Sequence, residues 1–95
     1  MGEVFEIVYD TLVIREDLAQ LDRPTLRRIK SAIEVKLVTR PDVYGKPLRG
    51  ALRGYWSLRV GDYRIAYHLK GSTVYIDVVE HRTKAYKILS TRATP

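Results

Sequence analysis

The sequence predicts an α+β domain. It is built on an antiparallel sheet of about four strands, with an N-terminal helical hairpin packed on one face and a short C-terminal helix. Three observations carry that expectation. Residues 55–69 alternate with period two through a tight turn at Val60-Gly61-Asp62, the pattern of two strands with one buried face. Residues 12–21 and 24–38 place apolar side chains at helical spacing on either side of Asp22-Arg23-Pro24. The chain has 95 residues, of which 45% are hydrophobic, enough for one small core and too few for two.

Residues 3–9 alternate as a first strand, with Val4, Glu6 and Val8 on one side and Phe5, Ile7 and Tyr9 on the other. Neither side is uniformly polar, so much of both faces should be covered. Asp10 or Thr11 can cap a following helix by accepting a free backbone N–H. In that helix Ile14, Leu18 and Leu21 form the apolar stripe, while Arg15, Glu16, Asp17 and Gln20 face out; the β-branched Val13 and Ile14 weaken its start. Pro24 suits a first helical position, where its missing N–H is harmless. The second helix spans about 24–38 on Leu26, Ile29, Ile33 and Leu37, with Ala32 beside them and Arg27, Arg28, Lys30 and Lys36 outside. So short a link makes the two helices an antiparallel αα-hairpin.

Residues 39–54 contain two prolines and three glycines, and carry Arg40, Lys46, Arg49 and Arg53 against one acid, Asp42. This loop brings positive charge to the hairpin, either as an ordinary solvated connection or as a contact to RNA. In the hairpin Trp56, Leu58, Val60, Tyr63, Ile65, Tyr67 and Leu69 point to the core. The opposite face lifts Arg59, Arg64 and His68 on a rigid sheet. Gly61 can take the positive φ that a tight hairpin turn requires. Gly71-Ser72 turns the chain into a last strand at 73–80, with Val74, Ile76 and Val78 on one face and Tyr75, Asp77 and Val79 on the other. One or two helical turns then precede a frayed tail at 90–95. The order is β-α-α-β-β-β-α in a single domain, a three-strand meander that the first strand joins.

The formal net charge is +6 and the isoelectric point near 9.8. Such a balance implies an anionic partner, nucleic acid or an acidic protein segment, unless the charge serves solubility alone. There is no cysteine, which excludes disulfides and thiolate metal sites and favours a reducing, cytoplasmic setting. No apolar run approaches the roughly 18 residues of a membrane span, and no secretory signal pattern opens the chain. Met1-Gly2 is a poor myristoylation start, because the sixth residue is Glu6.

Phosphate-binding glycine loops and paired histidines at metal spacing are missing, and Gly50-x-x-x-Gly54 lies in a polar loop. What remains is a cluster of cations and aromatics: Arg59 and Arg64 from the hairpin, and His81, Arg82 and Tyr86 after the last strand. In a simple meander the last strand ends near the start of the hairpin's first strand, so these groups converge. The planar fork of arginine suits phosphate, and a tyrosine ring offers an unpaired base a stacking surface. Such a patch would bind single-stranded RNA and stabilise charge at a phosphate under attack. The plainer alternatives are a surface ion pair for Arg64 and a packing anchor for Tyr86.

L-R-V-G-D-Y-R-I-A-Y, preceded by G-K-P-L-R-G and followed by V-E-H-R-x-x-x-Y, resembles the RelE/ParE superfamily of toxins from toxin–antitoxin pairs. The resemblance extends over nearly the whole chain. It implies a compact domain similar to a microbial ribonuclease, which cuts mRNA in the ribosomal A site by attack of the 2′-hydroxyl on the adjacent phosphate. No metal or other cofactor is implied. Carried over, Arg64 holds the scissile phosphate, Arg82 stabilises the transition state or leaving group, and Tyr86 stacks on the base. Lys46, Arg49, Arg53, Tyr55, Ser57 and Lys84 are the expected RNA contacts. Where the best-known RelE members have two lysines, this chain has Tyr55 and Ser57, and His81 or Arg59 is the expected substitute. The implied partners are a cognate antitoxin, the ribosome with its mRNA, and operator DNA through the antitoxin complex, with no membrane. The superfamily leaves two alternatives: a ParE-like inhibitor of DNA gyrase, and a catalytically weakened module that only binds its antitoxin.

Overall fold

The computed structural model describes residues 2–93. Strand β1 (Glu6–Tyr9) leads into two short helical turns, Val13–Asp17 and Leu18–Gln20. Helix α1 (Arg23–Ala32) continues through a wide turn at Ile33–Leu37, and α2 (Pro41–Tyr44) is a single turn. Strands β2 (Lys46–Pro47), β3 (Trp56–Val60), β4 (Tyr63–Lys70) and β5 (Thr73–His81) follow, and α3 (Ala85–Ala93) closes the described chain.

The sheet has five strands in the order β1-β5-β4-β3-β2, one more than expected. The extra strand is the two-residue β2, too short to show any periodicity. The β3–β4–β5 meander is antiparallel, and β1 joins beside β5 in parallel. Both hairpins turn on two residues, with Gly61 at φ 58° and Gly71 at φ 59°, where a side chain would be strained.

Two cores lie on opposite faces of the sheet. On one, Ile29, Ile33 and Leu37 of the α1 segment pack on Leu58, Val60, Ile65, Tyr67, Val74, Ile76 and Val79. Asp22 caps α1 by accepting from the Thr25 N–H at 2.8 Å, and Pro24 stands in its first turn, as the punctuation predicts. On the other face Ala85 and Leu89 of α3 sit on Ala66 and Val78. Two alanines at that contact let the helix backbone approach the sheet closely.

The expected alternation of β5 fails at one place. Ala66 pairs with Val78 and Tyr67 with Ile76, so Asp77 is an extra residue, a β-bulge. The bulge resets the period-two pattern, and Val79 rather than Val78 faces α1. The first helical stripe also differs. Ile14 is 55% exposed, whereas Val13 and Asp17 are buried. Instead of lying along α1, the Val13–Asp17 turn packs against β5.

That choice follows from a length mismatch. β1 pairs with β5 only as far as Ile76, so the edge of β5 beyond it needs other partners. Asp17 Oδ2 accepts from the Val79 N–H at 2.8 Å, and Arg92 Nη1 donates to the Asp77 carbonyl at 3.0 Å. The two side chains form a bidentate pair at 2.7 and 2.8 Å, with Asp17 4% exposed. Residues 90–93, expected as frayed, are therefore helical and anchored by Arg92. Residues 94–95 of that expected tail lie outside the described residues.

Candidate functional site

α3 covers only part of its sheet face. Near the Gly61-Asp62 turn the face is open, and a cleft of about 380 Å³ is lined by Tyr44, Lys46, Pro47, Leu48, Ser57, Arg59, Arg64 and Tyr86. Each basic side chain arrives from a different place. Lys46 comes from the edge strand, where it pairs with Ser57. Arg59 and Arg64 are direct cross-strand partners, and Tyr86 comes from the first turn of α3.

The Arg59–Arg64 pairing is informative because like charges placed opposite one another destabilise a sheet. Neither has a carboxylate within ion-pair distance among the described residues. Arg64 Nη1 instead donates to the carbonyls of Gly61 at 3.0 Å and Tyr63 at 2.9 Å. These neutral acceptors fix the guanidinium without cancelling its charge. An anion held between the two arginines would relieve their repulsion and accept charge-assisted hydrogen bonds.

Tyr86 Oη donates to Ser57 Oγ at 3.0 Å, and Ser57 is only 8% exposed. The phenol is thus tethered while the residue as a whole stays 39% exposed, available to a stacking partner.

Other expected site residues lie elsewhere. Arg82 stands at the rim: its N–H donates to the Asp62 carbonyl at 2.7 Å, and its Nε is 3.9 Å from Asp62 Oδ1 with both side chains exposed. This locates the end of β5 beside the hairpin turn, since His81 pairs with Tyr63. It does not lie near the start of β3, as the simple meander suggests. In an antiparallel neighbour the last residue of β5 must face the first of β4.

His81 is one step along the strand from Glu80, which pairs with Arg64, so it points to the opposite face. There its ring meets Tyr63 edge-on at 6.0 Å, and its Nδ1 is 2.9 Å from Thr83 Oγ1. It does not join the cleft. Arg49, Arg53 and Lys84 are exposed but do not line it either.

Tyr55 sits at the far end of the same face, edge-on to His68 at 5.7 Å. His68 stacks on Tyr75 at 4.9 Å, and its Nδ1 is 2.7 Å from Asp77 Oδ2. Burial raises the Asp77 carboxyl above its ordinary value of 3.8, with His68 opposing the shift.

Sequence reasoning missed three residues of the cleft lining, Tyr44, Pro47 and Leu48. Of these, Tyr44 is brought there by the α2 turn. Arg28 of α1, read as an outward cation, lies against Gly61, where an added Cβ would come within 2.6 Å of its Nη2. Periodicity identifies its helix face, but only the packing of α1 on the sheet brings it to the turn.

The ParE toxin of type II toxin-antitoxin system, parDE, is the family whose pattern matches residues 10–86. The chain is similar to Toxin RelG of Mycobacterium tuberculosis, 35% identical over 79 residues, which cover 81% of this chain and 91% of that protein. It also resembles the toxin–antitoxin complex RelBE2 of the same organism, with a TM-score of 0.79 and 33% identity over 84% of this chain and 93% of that one. The RelB–RelE antitoxin–toxin complex of Methanococcus jannaschii aligns with a TM-score of 0.63 and 25% identity, over 81% and 92% of the two chains.

Proposed function

The chain belongs to the RelE/ParE superfamily of type II toxins, and from that premise we propose that it is a ribosome-dependent endoribonuclease that cleaves mRNA in the A site. The observation that carries this reading is the directly opposed Arg59–Arg64 pair in a cleft shared with Tyr86. The arginines bind the scissile phosphate and stabilise the charge that grows on it in the transition state. Tyr86 stacks on the adjoining base, with its hydroxyl held by Ser57. The 2′-oxygen attacks the phosphorus in line, and Arg82 meets the neighbouring phosphate from the rim. No cofactor takes part. Arg49, Arg53 and Lys84 contribute general attraction to RNA that weakens as salt rises.

A cognate antitoxin neutralises the protein by covering this cleft, and operator DNA is bound through that complex. Two of the similar structures are themselves toxin–antitoxin complexes, and acids on the antitoxin segment would meet the +6 charge.

Toeprinting of mRNA on programmed ribosomes tests the reading. Wild-type protein should cut within the A-site codon, and Arg64→Ala should reduce the rate by about 10²- to 10³-fold, as loss of one transition-state donor does. A folded wild type that makes no cut would exclude the ribonuclease. The match to the ParE family then favours the second reading, poisoning of DNA gyrase, which a gyrase DNA-cleavage assay detects.

A further inference from the structure

We propose that Lys46, presented by the edge strand β2, is the proton donor to the leaving 5′-oxygen; the assignment rests on the ribonuclease reading above. Breaking the P–O5′ bond leaves an alkoxide, a poor leaving group unless a proton reaches it. Among the side chains lining the cleft, only Lys46 and the Tyr44 phenol can give one, and of the two only Lys46 stands on the sheet as the register partner of Ser57. The guanidiniums of Arg59 and Arg64 hold their protons too tightly. Tyr86 directs its hydroxyl hydrogen to Ser57 Oγ, and Ser57 is nearly buried. His81 faces the other side of the sheet. Lys46 carries the one ammonium group among the residues that line the cleft.

Its backbone is held for the task. Lys46 and Ser57 are register partners, so their side chains share a face. Pro47 follows with a fixed φ, and the Leu48 N–H donates to the Tyr55 carbonyl at 2.8 Å. Lys46 also lacks a carboxylate partner among the described residues, so its ammonium is free to turn into the cleft. A cation absent from position 57 is thus supplied by the neighbouring strand.

The step balances. The 2′-oxygen forms its bond to phosphorus and releases its proton to solvent, while the P–O5′ bond breaks. The 5′-oxygen takes a proton from Lys46 Nζ, giving a 2′,3′-cyclic phosphate and a 5′-hydroxyl. Solvent then reprotonates the amine.

The test compares wild type, Lys46→Ala and Lys46→Arg on programmed ribosomes, using mRNA with a normal A-site linkage and mRNA with sulfur in place of the scissile 5′-oxygen. A thiolate departs without protonation. Both variants should lose about 10²- to 10⁴-fold on the oxygen substrate, the range for general acid catalysis, and cleave the sulfur substrate at close to the wild-type rate. Urea midpoints equal to wild type verify their folding. Full activity of Lys46→Arg on oxygen would make Lys46 a charge contact only and overturn the proposal. So would unchanged Lys46→Ala, or a defect that persists with sulfur. A wild type that cleaves neither substrate overturns the ribonuclease reading itself, and this role falls with it.

Discussion

The two ends of α3 use polar chemistry for opposite purposes. At its C-terminal end Arg92 is paired bidentately with the buried Asp17 and donates to the β5 backbone. At its N-terminal end Tyr86 has one tether, Ser57, beside arginines that face each other without an acid between them. The closed end satisfies its groups and fixes the helix. The open end leaves Arg59 and Arg64 without an ion pair among the described residues, although Glu80 neighbours Arg64 across the strands. It therefore has hydrogen-bonding groups to give a ligand. Hydrogen bonding to Asp17 also holds the Arg92 proton more firmly than usual, as expected where the cation serves the fold.

The largest effect should come from breaking the closed end. Asp17→Asn should destabilise the protein by about 2–3 kcal/mol, because the largely buried Arg92 guanidinium loses its nearer counter-charge and keeps only Glu16 at 3.9 Å. A urea midpoint that falls with an unchanged slope would measure this. Replacing both partners, Asp17→Leu with Arg92→Met, should recover much of the loss, since an apolar pair leaves no charge unmet. Equal losses in the single and double variants would mean that the backbone contacts, not the charge pair, anchor the helix.

At the open end the effects should separate from stability. Tyr86→Ala should move the unfolding free energy by less than about 1 kcal/mol, as exposed substitutions do. It should nevertheless slow cleavage roughly 10- to 100-fold, matching about 1–3 kcal/mol of stacking on a base. Tyr86→Phe keeps the ring and should retain most of that rate. A stability loss at Tyr86 as large as at Asp17 would erase the distinction between the two ends.

The smallest effect is a pH dependence at the closed side, where burial raises the Asp77 carboxyl. Its surroundings include His68, which opposes the shift, Asp10, which adds to it, and Arg92, which opposes it. With a folded value above the ordinary 3.8, the native state holds its proton longer than the unfolded chain does. Stability from this group therefore falls as pH rises from 3.8 through the raised value. Asp77→Asn should remove that slope in urea titrations between about pH 3 and 6. A steeper slope in the variant would reverse the sign assigned here.

Local chemistry alone determined much of this protein. Alternation from Trp56 to Leu69 gave the two central strands, and Gly61 and Gly71 gave their turns. Asp22-Arg23-Pro24 marked the start of α1, and Ile29, Ile33 and Leu37 marked its buried stripe. These features depend on neighbours a few residues apart, where side-chain period and backbone preference act directly. The motifs around Arg64 and Tyr86 were legible too, being short runs that join neighbouring elements.

What only the tertiary structure decided involves distance or parity. Asp17 and Arg92 are 75 residues apart; alone, Asp17 reads as an exposed polar residue of a helix and Arg92 as part of a frayed tail. The bulge at Asp77 moved Val78 and Val79 to faces that strict alternation assigns the other way. Lys46 entered the cleft through a strand of two residues, and His81 left it by one step beyond Glu80. Pairing register sets which residues meet, and register depends on the whole sheet and its covering helices rather than on any local run.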